Sequence, residues 1–409
     1  MRHESAPRTT EHEVLIVGGG IGGLATALAL AQHGNAVHVL ERAPEFGEVG
    51  AGLQLAPNAT RSLARWGILP QVVAAGVLPS RIVLRDAVTG DELTRLELGD
   101  AFRERYHAPY VVVHRSDLHR ILIEACQAAG VTFETGRDVE RVDASGDTAR
   151  TYCADGAVYE SSVVLGMDGL RSVLRADLIG DEPVDSGYVA YRGVVPADTV
   201  SGHADVDAVV AWIGPGCHLV QYPLRRRELI NQVAVIQTSA PLSGENDGDG
   251  FPALDQAFAH CCEQVRQWLP FLWTDRCWPM YDRPPVDRWT DGRLGLLGDA
   301  AHPMLQYLAQ GACQAIEDAQ SLTDQVGRHT STVPGGRASV DWPAALLATE
   351  RARAPRTARL QRAARVWGET WHTFGLARLL RNELLTTRPL DDYRHIDWIY
   401  GESHSTTPH

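Results

Sequence analysis

Short runs of consecutive apolar residues, each closed by glycine or a polar residue, set the framework of the chain. They are Val14-Leu15-Ile16-Val17, Val37-His38-Val39-Leu40, Tyr110-Val111-Val112-Val113-His114, Ser162-Val163-Val164-Leu165 and Leu294-Gly295-Leu296-Leu297. These runs are too short for helices and show no in–out alternation, which predicts strands buried on both faces. Stretches with helical spacing lie between them: Leu24 to about His33, about Pro57 to Trp66, Leu118 to Ala129, and Ala312 to Val326 with Ala315, Ile316, Ala319 and Leu322 on one face. Strands alternating with helices predict an α/β body.

The texture changes in two places. Ile82 to Leu98 alternates on both sides of Thr89-Gly90 and reads as a hairpin that interrupts the first body. From Tyr188 to about Tyr281, the segments Val189 to Val195, Ala208 to Ile213, His218 to Leu224 and Leu229 to Ile236 are strand-like, and turns such as Gly214-Pro215-Gly216 join them. A meander of antiparallel strands is the expectation, followed by an acidic, flexible loop at Gly244 to Gly250 and a helix from Phe258 to Leu269. Val131 to Tyr159 reads as strands turning at Gly146 and Asp155-Gly156. After a loop at Arg328 to Ser339, the segment from Ala344 to about Arg381 is helix-forming, with a kink or break expected at Pro355. No internal repeat is visible.

Composition removes several function classes. The 409 residues are 44% hydrophobic and 22% charged, ordinary for a globular protein. The 38 basic and 51 acidic residues give a net charge of −13, which opposes a general nucleic-acid-binding role. Seven cysteines without a C-x-x-C pair suggest neither a metal site nor a disulfide framework, and fit a reducing cytoplasm. The polar stretch Met1 to Glu13 lacks an apolar signal core, the tail Glu402 to His409 is polar and expected to be loose, and no apolar run reaches the roughly 20 residues of a membrane span.

Three strand–turn–helix junctions hold candidate chemistry. The first is Gly18-Gly19-Gly20-Ile21-Gly22-Gly23 after a strand, with Glu41 closing the second strand. In such a βαβ fingerprint Gly18 allows the tight turn, Gly20 lets the backbone approach a pyrophosphate, and Gly23 lets helix and strand pack closely; the acid accepts bonds from a ribose diol. The second is Gly166-Met167-Asp168-Gly169-Leu170-Arg171, where Asp168 can cap a helix start. The third is Gly298-Asp299-Ala300-Ala301-His302-Pro303, leading through Gly311-Ala312 into a helix whose N-terminus suits an anion or an electron-rich ring. Arg115 sits at a further strand–helix junction, with Ser116 as the expected N-cap. Taken singly, the second and third junctions read as capped helix starts and strand ends, Arg115 as a surface ion pair, and Arg356, Arg359 and Arg362 as a solvated helix face.

Together and in this order, the three motifs resemble those of the single-component FAD-dependent aromatic hydroxylases, whose fold is that of para-hydroxybenzoate hydroxylase. The resemblance covers nearly the whole chain; Met167 departs from the alanine common in the family. It implies a Rossmann-like FAD-binding domain with an inserted antiparallel-sheet substrate domain and a C-terminal helical region. The expected division is 1–80, 110–187 and 285–340 for FAD, 81–109 and 188–284 for the substrate sheet, and 341–409 for the helical region. The FAD-binding residues it implies are Gly18, Gly20, Gly23, Glu41, Arg42, Arg115, Asp168, Asp299, Gly311 and Ala312, with no metal. The loop Gln306-Tyr307-Leu308-Ala309-Gln310-Gly311-Ala312 and the pair His218 and Tyr222 are similar to those of 3-hydroxybenzoate 6-hydroxylases; salicylate 1-hydroxylases have a more glycine-rich loop.

What this resemblance implies is non-covalently bound FAD, NADH and O2 as co-substrates, and a small aromatic acid as substrate, with a homodimer left open. His218 takes the phenol proton as base, while Tyr222 and Gln306 orient the ring. Histidine, ordinarily titrating near 6.5, suits that role, and a phenolate directs attack to its para carbon. In 3-hydroxybenzoate that carbon is C6, and the product is 2,5-dihydroxybenzoate (gentisate). Alternatives are a salicylate- or hydroxynicotinate-type monooxygenase, or an FAD reductase without oxygen insertion. No W-x-W-x-I-P segment of a halogenase is present.

Overall fold

The structure is a computed structural model and describes residues 9–47, 52–200, 202, 204–238, 254–331 and 338–401. Two sheets organise it. The first has eight strands. Its parallel centre runs Leu294–Leu296, Val158–Gly166, Thr9–Val17, Val37–Leu40 and Thr132–Glu134. Four of the five apolar runs read above form strands of this centre, and Val14, Leu15, Ile16, Val163, Val164 and Leu165 are fully buried; the fifth, Val111–His114, pairs antiparallel with Gly52–Leu55 in a separate two-stranded sheet. Helices Ile21–Gln32, Arg115–Ala128 and Gly311–Arg328 pack together on the strand crossovers. The second sheet has seven strands in the order Trp278–Asp282, Val184–Pro196, Leu229–Gln237, Cys217–Leu224, Ala208–Gly214, Arg81–Asp86 and Glu92–Glu97. The hairpin Arg81–Glu97 thus joins the later strands in one sheet.

Several elements differ from the sequence-based expectation. The second sheet is not wholly antiparallel: Ala208–Gly214 runs parallel to Arg81–Asp86, because the early hairpin enters at the far edge of the later meander. The expected helix from Phe258 to Leu269 is broken into Leu254–Ala257, Glu263–Arg266 and the 3-10 turn Leu269–Phe271; burial of Phe258 and the bond from Cys262 N–H to the Ala87 carbonyl favour turns there. The helix after Tyr110 begins at Arg115, with His114 as its N-cap; Ser116 lies inside it, and its hydroxyl contacts His114 Nδ1 at 2.7 Å. Pro355 does not end its helix, which runs unbroken from Trp342 to Trp371. Interior proline costs about 3 kcal/mol, and the ion pairs of Arg353 and Arg356 on either side hold this segment against Gly311–Arg328. The break comes later, before helix Gly375–Thr386. The acidic loop Gly244 to Gly250, the tail Glu402 to His409 and most of the segments Glu48 to Gln54 and Met1 to Glu13 lie outside the described residues.

The arginine face of the long helix is only partly a solvated surface. Arg356 forks onto Glu317 and donates to the carbonyls of Trp398 and Ile399, pinning the last helix, Arg394–Tyr400. Arg359 lies 4.0 Å over the Trp398 ring, and Arg362 is exposed. Among the described residues no helix is long and apolar enough to cross a membrane.

A buried ionic cluster ties these parts together. Asp318, fully buried, accepts from Gly298 N–H at 2.9 Å, from His302 Nε2 at 2.5 Å and from Arg353 Nε at 2.7 Å. Arg353 also reaches Glu317 and Gln314. Burial pushes the Glu317 carboxyl up, but Arg353 and Arg356 outweigh it and hold the group at about 2, against an ordinary 4.5. A depressed carboxyl of this kind contributes stability that is complete above about pH 4.5 and is lost as pH falls through about 2. Arg353→Met should cost about 3–5 kcal/mol, because it leaves the fully buried Asp318 carboxylate without its guanidinium and Glu317 with Arg356 alone. Chemical denaturation of the holoprotein measures this, and a variant within about 1 kcal/mol of wild type would show that the cluster does not hold the helices together.

Candidate active site

All three nucleotide-type motifs end adjacent parallel strands, and the register brings them together. Val17 pairs with Gly166, and Gly166 pairs with Leu296. Met167 N–H donates to the Val17 carbonyl at 2.8 Å, and Leu297 N–H to the Gly166 carbonyl at 3.0 Å. Gly18, Asp168 and Asp299 therefore share one edge, the carboxyl end of the sheet, where open α/β folds bind ligands.

The glycines do what their positions require. Gly18 has φ +111°, and a Cβ there would sit 2.4 Å from the Met167 carbonyl oxygen. A Cβ on Gly23 would lie 1.9 Å from the Gly18 oxygen, so only glycine lets helix and turn meet. Gly20, by contrast, faces open space. Beside it is a cleft of about 160 Å³ lined by Gly19, Gly20, Glu41, Ala43, Phe46 and His119. The Glu41 carboxylate accepts from Gly19 N–H at 2.7 Å and Ala43 N–H at 2.8 Å, which fixes it at the cleft wall. Arg42 is exposed beside it. His119, not singled out from sequence, contacts the Gly19 carbonyl through Nε2 at 2.8 Å and braces the loop.

Asp168 caps a helix as expected, accepting from Val173 N–H at 3.0 Å, although Ser172 is the N-cap residue proper. Its other oxygen is buried with no partner, and burial pushes the carboxyl up. Met167 is accommodated by small neighbours: its methyl group lies 2.7 Å from where a Cβ on Gly22 would be and 3.3 Å from one on Gly298. Asp299 is surrounded by protein, yet its side chain opens to solvent at the sheet edge. Burial raises its pKa, and His302 and Arg115 oppose the shift. Gly311 opens the helix facing it: a Cβ on Gly311 would lie 3.8 Å from Asp299 Oδ1, with Ala312 next in the helix. A dinucleotide cofactor fits this edge: an unobstructed glycine turn at a helix N-terminus, a carboxylate at the ribose position, an unpartnered buried Asp168 oxygen and a second helix N-terminus beside Asp299.

The second sheet presents His218 and Tyr222 on one face, two residues apart along each step of the strand Cys217–Leu224, with Val220 between them. Tyr222 is buried against the strand Gly52–Leu55, where a Cβ on Gly52 would meet its ring at 2.3 Å. Burial pushes the Tyr222 hydroxyl well above its ordinary range. His218 is 1% exposed, in a box formed by Tyr307, Trp371 and His372. Burial, and then His372, push its pKa well below 6.5, so the ring is neutral. Gln306 does not enter this box. It is exposed, its amide nitrogen lies 3.9 Å from Met280 Sδ, and its neighbour Tyr307 is the residue that touches His218.

Two residues here were missed from sequence. His372 caps the end of the long helix and contacts His218 Nδ1 at 2.8 Å. Arg192 lies on the His218 face of the sheet, over the Trp278 ring at 5.1 Å, with Nε buried and unpartnered. Burial lowers its pKa, Tyr222 opposes this and Arg115 adds to it, so Arg192 is a desolvated cation near both. Strand alternation could have placed Arg192 on that face; nothing in the sequence links position 372 to 218. On the opposite face, Cys217, His260 and Cys261 form the one group of donors among the described residues that could hold a metal ion. All seven cysteines are free.

The FAD binding domain family model matches residues 11–360. The chain is 38% identical over 391 residues to a 3-hydroxybenzoate 6-hydroxylase of Polaromonas naphthalenivorans (strain CJ2), covering 95% of each chain. It is 39% identical over 392 residues to a 3-hydroxybenzoate 6-hydroxylase of Klebsiella oxytoca, covering 95% of this chain and 96% of that one. Among solved structures it is similar to Klebsiella pneumoniae HpxO complexed with FAD and uric acid, at a TM-score of 0.80, 26% identity and 94% coverage of both chains. With the shared sheet edge, the glycine turn and these likenesses in agreement over nearly its whole length, the chain belongs to the FAD-binding aromatic hydroxylase family.

Proposed function

We propose that this protein is an FAD-dependent monooxygenase that converts 3-hydroxybenzoate, NADH, O2 and a proton to 2,5-dihydroxybenzoate, NAD+ and water. The observation that carries the reading is the meeting of three nucleotide motifs at one sheet edge, in a chain 38% identical to a 3-hydroxybenzoate 6-hydroxylase over 95% of both lengths. FAD supplies, when bound, reduction by NADH and the activation of O2 as an electrophile. Gly18, Gly20, Gly23, Glu41 and Arg42 would hold its adenosine half, and Arg115, Asp168, Asp299, Gly311 and Ala312 the remainder. On this reading 1–80, 110–187 and 285–340 serve FAD, and 81–109 with 188–284 serve the substrate.

The protein's own task is to fix the ring and form the phenolate. A buried neutral His218 accepts the phenol proton, and Tyr222 and Gln306 orient the ring. Arg192 supplies the counter-charge for the carboxylate; its unpartnered Nε and the desolvation of its guanidinium support this. An oxygen electrode with NADH and each hydroxybenzoate isomer tests the function. The 3-isomer should stimulate oxygen uptake and yield gentisate, and Arg192→Gln should raise its KM. Product only from another isomer would move the enzyme to a different class, no substrate-coupled uptake would leave a reductase, and an unchanged KM would remove Arg192.

His218→Ala should keep FAD bound and reducible by NADH but lose about 10²–10⁴-fold in hydroxylation, with reduced oxygen released as hydrogen peroxide. Gln306→Ala should impair hydroxylation through pose. Raising the pH toward the phenol's own pKa should rescue the His218 variant more than the Gln306 variant, because the phenolate then forms unaided. Product per NADH across a pH series decides: equal rescue would abolish this division of roles.

We infer a homodimer and a cytoplasmic location. The location is supported by the seven free thiols. The dimer is supported by helix Gly375–Thr386, where Leu376, Leu379, Leu380 and Leu384 are 57–73% exposed and form one stripe. The other face of that helix is committed inward, with Arg378, Arg381 and Asn382 all bonded to buried Asp86. A second copy covering the stripe should give a two-chain mass by analytical ultracentrifugation, and the double variant Leu380→Glu, Leu384→Glu should sediment as one chain. A monomeric wild type would end this reading.

A further inference from the structure

We propose that His372 is a positioning residue of the hydroxylation: it accepts a hydrogen bond from His218 Nδ1 and so leaves the lone pair of His218 on Nε2, ready for the substrate phenol. This rests on the reading of His218 as base. The two rings are 18° from coplanar with centroids 5.1 Å apart, and Nδ1 of one lies 2.8 Å from Nε2 of the other. That combination is an edge-on, in-plane contact, not face-to-face stacking, and it directs the lone pair of one ring at the N–H of the other.

Both rings are buried, so neither can exchange this partner for water. Between two neutral imidazoles the bond can run either way. If His372 donates, His218 carries its proton on Nε2 and cannot act as base there. A phenol O–H at Nε2 selects the other arrangement, with His218 donating through Nδ1. Proton transfer then breaks the phenol O–H bond and forms the Nε2–H bond, and His372 remains the acceptor for the resulting imidazolium.

Three features fix His372 for this task. It caps the C-terminal end of the 30-residue helix Trp342–Trp371, where the helix dipole favours positive charge on the pair. Its carbonyl accepts from Gly216 N–H at 3.2 Å, which ties it to the hairpin turn just before His218. Its ring stacks on Tyr188 at 4.5 Å and meets Tyr307 edge-on at 5.6 Å. The charged groups around it are Arg381, which bonds to the Trp371 carbonyl, Asp86, which partners Arg381, and Glu369 on its own helix. Burial, and then Arg381, lower the His372 pKa to about 4, so His372 is a neutral ring able to accept.

The test compares His372→Phe, His372→Gln and His218→Ala with the double variant His218→Ala, His372→Phe, all as FAD holoproteins. His372→Phe should keep FAD and its reduction by NADH but lose at least about tenfold in product per NADH, with rescue at high pH. His372→Gln, whose amide oxygen can accept from Nδ1, should restore most of the coupling. The double variant should be no worse than His218→Ala, since His372 acts through His218. A coupled His372→Phe beside an uncoupled His218→Ala overturns the inference alone, whereas a coupled His218→Ala overturns the base reading itself. Loss of FAD in His372→Phe without rescue by glutamine or pH would show a merely structural role and also overturn it.

Discussion

The buried carboxylate of Asp318 is the constraint on which the rest depends. A carboxylate removed from water must be paired, or it neutralises or moves. Asp318 meets that demand with three donors from three parts of the chain: the Gly298 amide at the late motif, His302 in the loop that follows, and Arg353 in the long helix. Satisfying one buried charge therefore sets where Asp299 stands, how the helix after Gly311 faces it and where the long helix runs. The end of that helix carries His372 to the back of His218. The motif edge of the first sheet and the His218 face of the second are thus aligned through one electrostatic requirement, not by independent loops.

The parallel strand register does the remaining alignment. A one-residue slip in a strand reverses every side chain along it. Val17, Gly166 and Leu296 lie side by side, so three turns far apart in sequence open at the same level. Met167 shows how tightly they pack. A larger residue than alanine fits at that position only because Gly22, Gly298 and Ala315 leave room for its methyl group.

Much of this was legible in the sequence, for reasons that differ by element. Four of the parallel strands were readable because burial on both faces leaves an uninterrupted apolar run, although the same kind of run at Val111–His114 pairs antiparallel with Gly52–Leu55 outside that sheet, and the glycine turn was readable because no other residue tolerates its contacts. The hairpin at Thr89-Gly90 was readable from alternation, but not that it would pair in parallel with Ala208–Gly214, since pairing between distant strands leaves no local mark. Proline at 355 misled because the propensity penalty is local, while the ion pairs that outweigh it come from Glu317 and Asp318 on another helix. The cap at Ser116 misled by two residues, because His114 and Ser116 engage each other. At the substrate face, His218 and Tyr222 were legible as a same-face pair, whereas His372 and Arg192 join them only through tertiary packing.

The burial of His218 poses a tension that the architecture answers in part. Desolvation keeps the ring neutral, as the proposed base role requires, but it also weakens such a base by penalising the imidazolium. In isolation that penalty would oppose proton transfer from a phenol. Two features reduce it at the moment of transfer. The phenolate left behind is an opposite charge within hydrogen-bond distance, and in a water-excluded site that attraction is far stronger than in solution. The second nitrogen of His218 already lies 2.8 Å from His372 Nε2, so under the proposed arrangement the new positive charge would be hydrogen-bonded on both sides and not buried bare. In the proposed role, His218 is therefore charged only while an acidic hydroxyl occupies the site and offsets the cost of burial, and otherwise stays neutral. On that reading, the same desolvation that weakens the histidine as a base ties its protonation to the presence of a phenol.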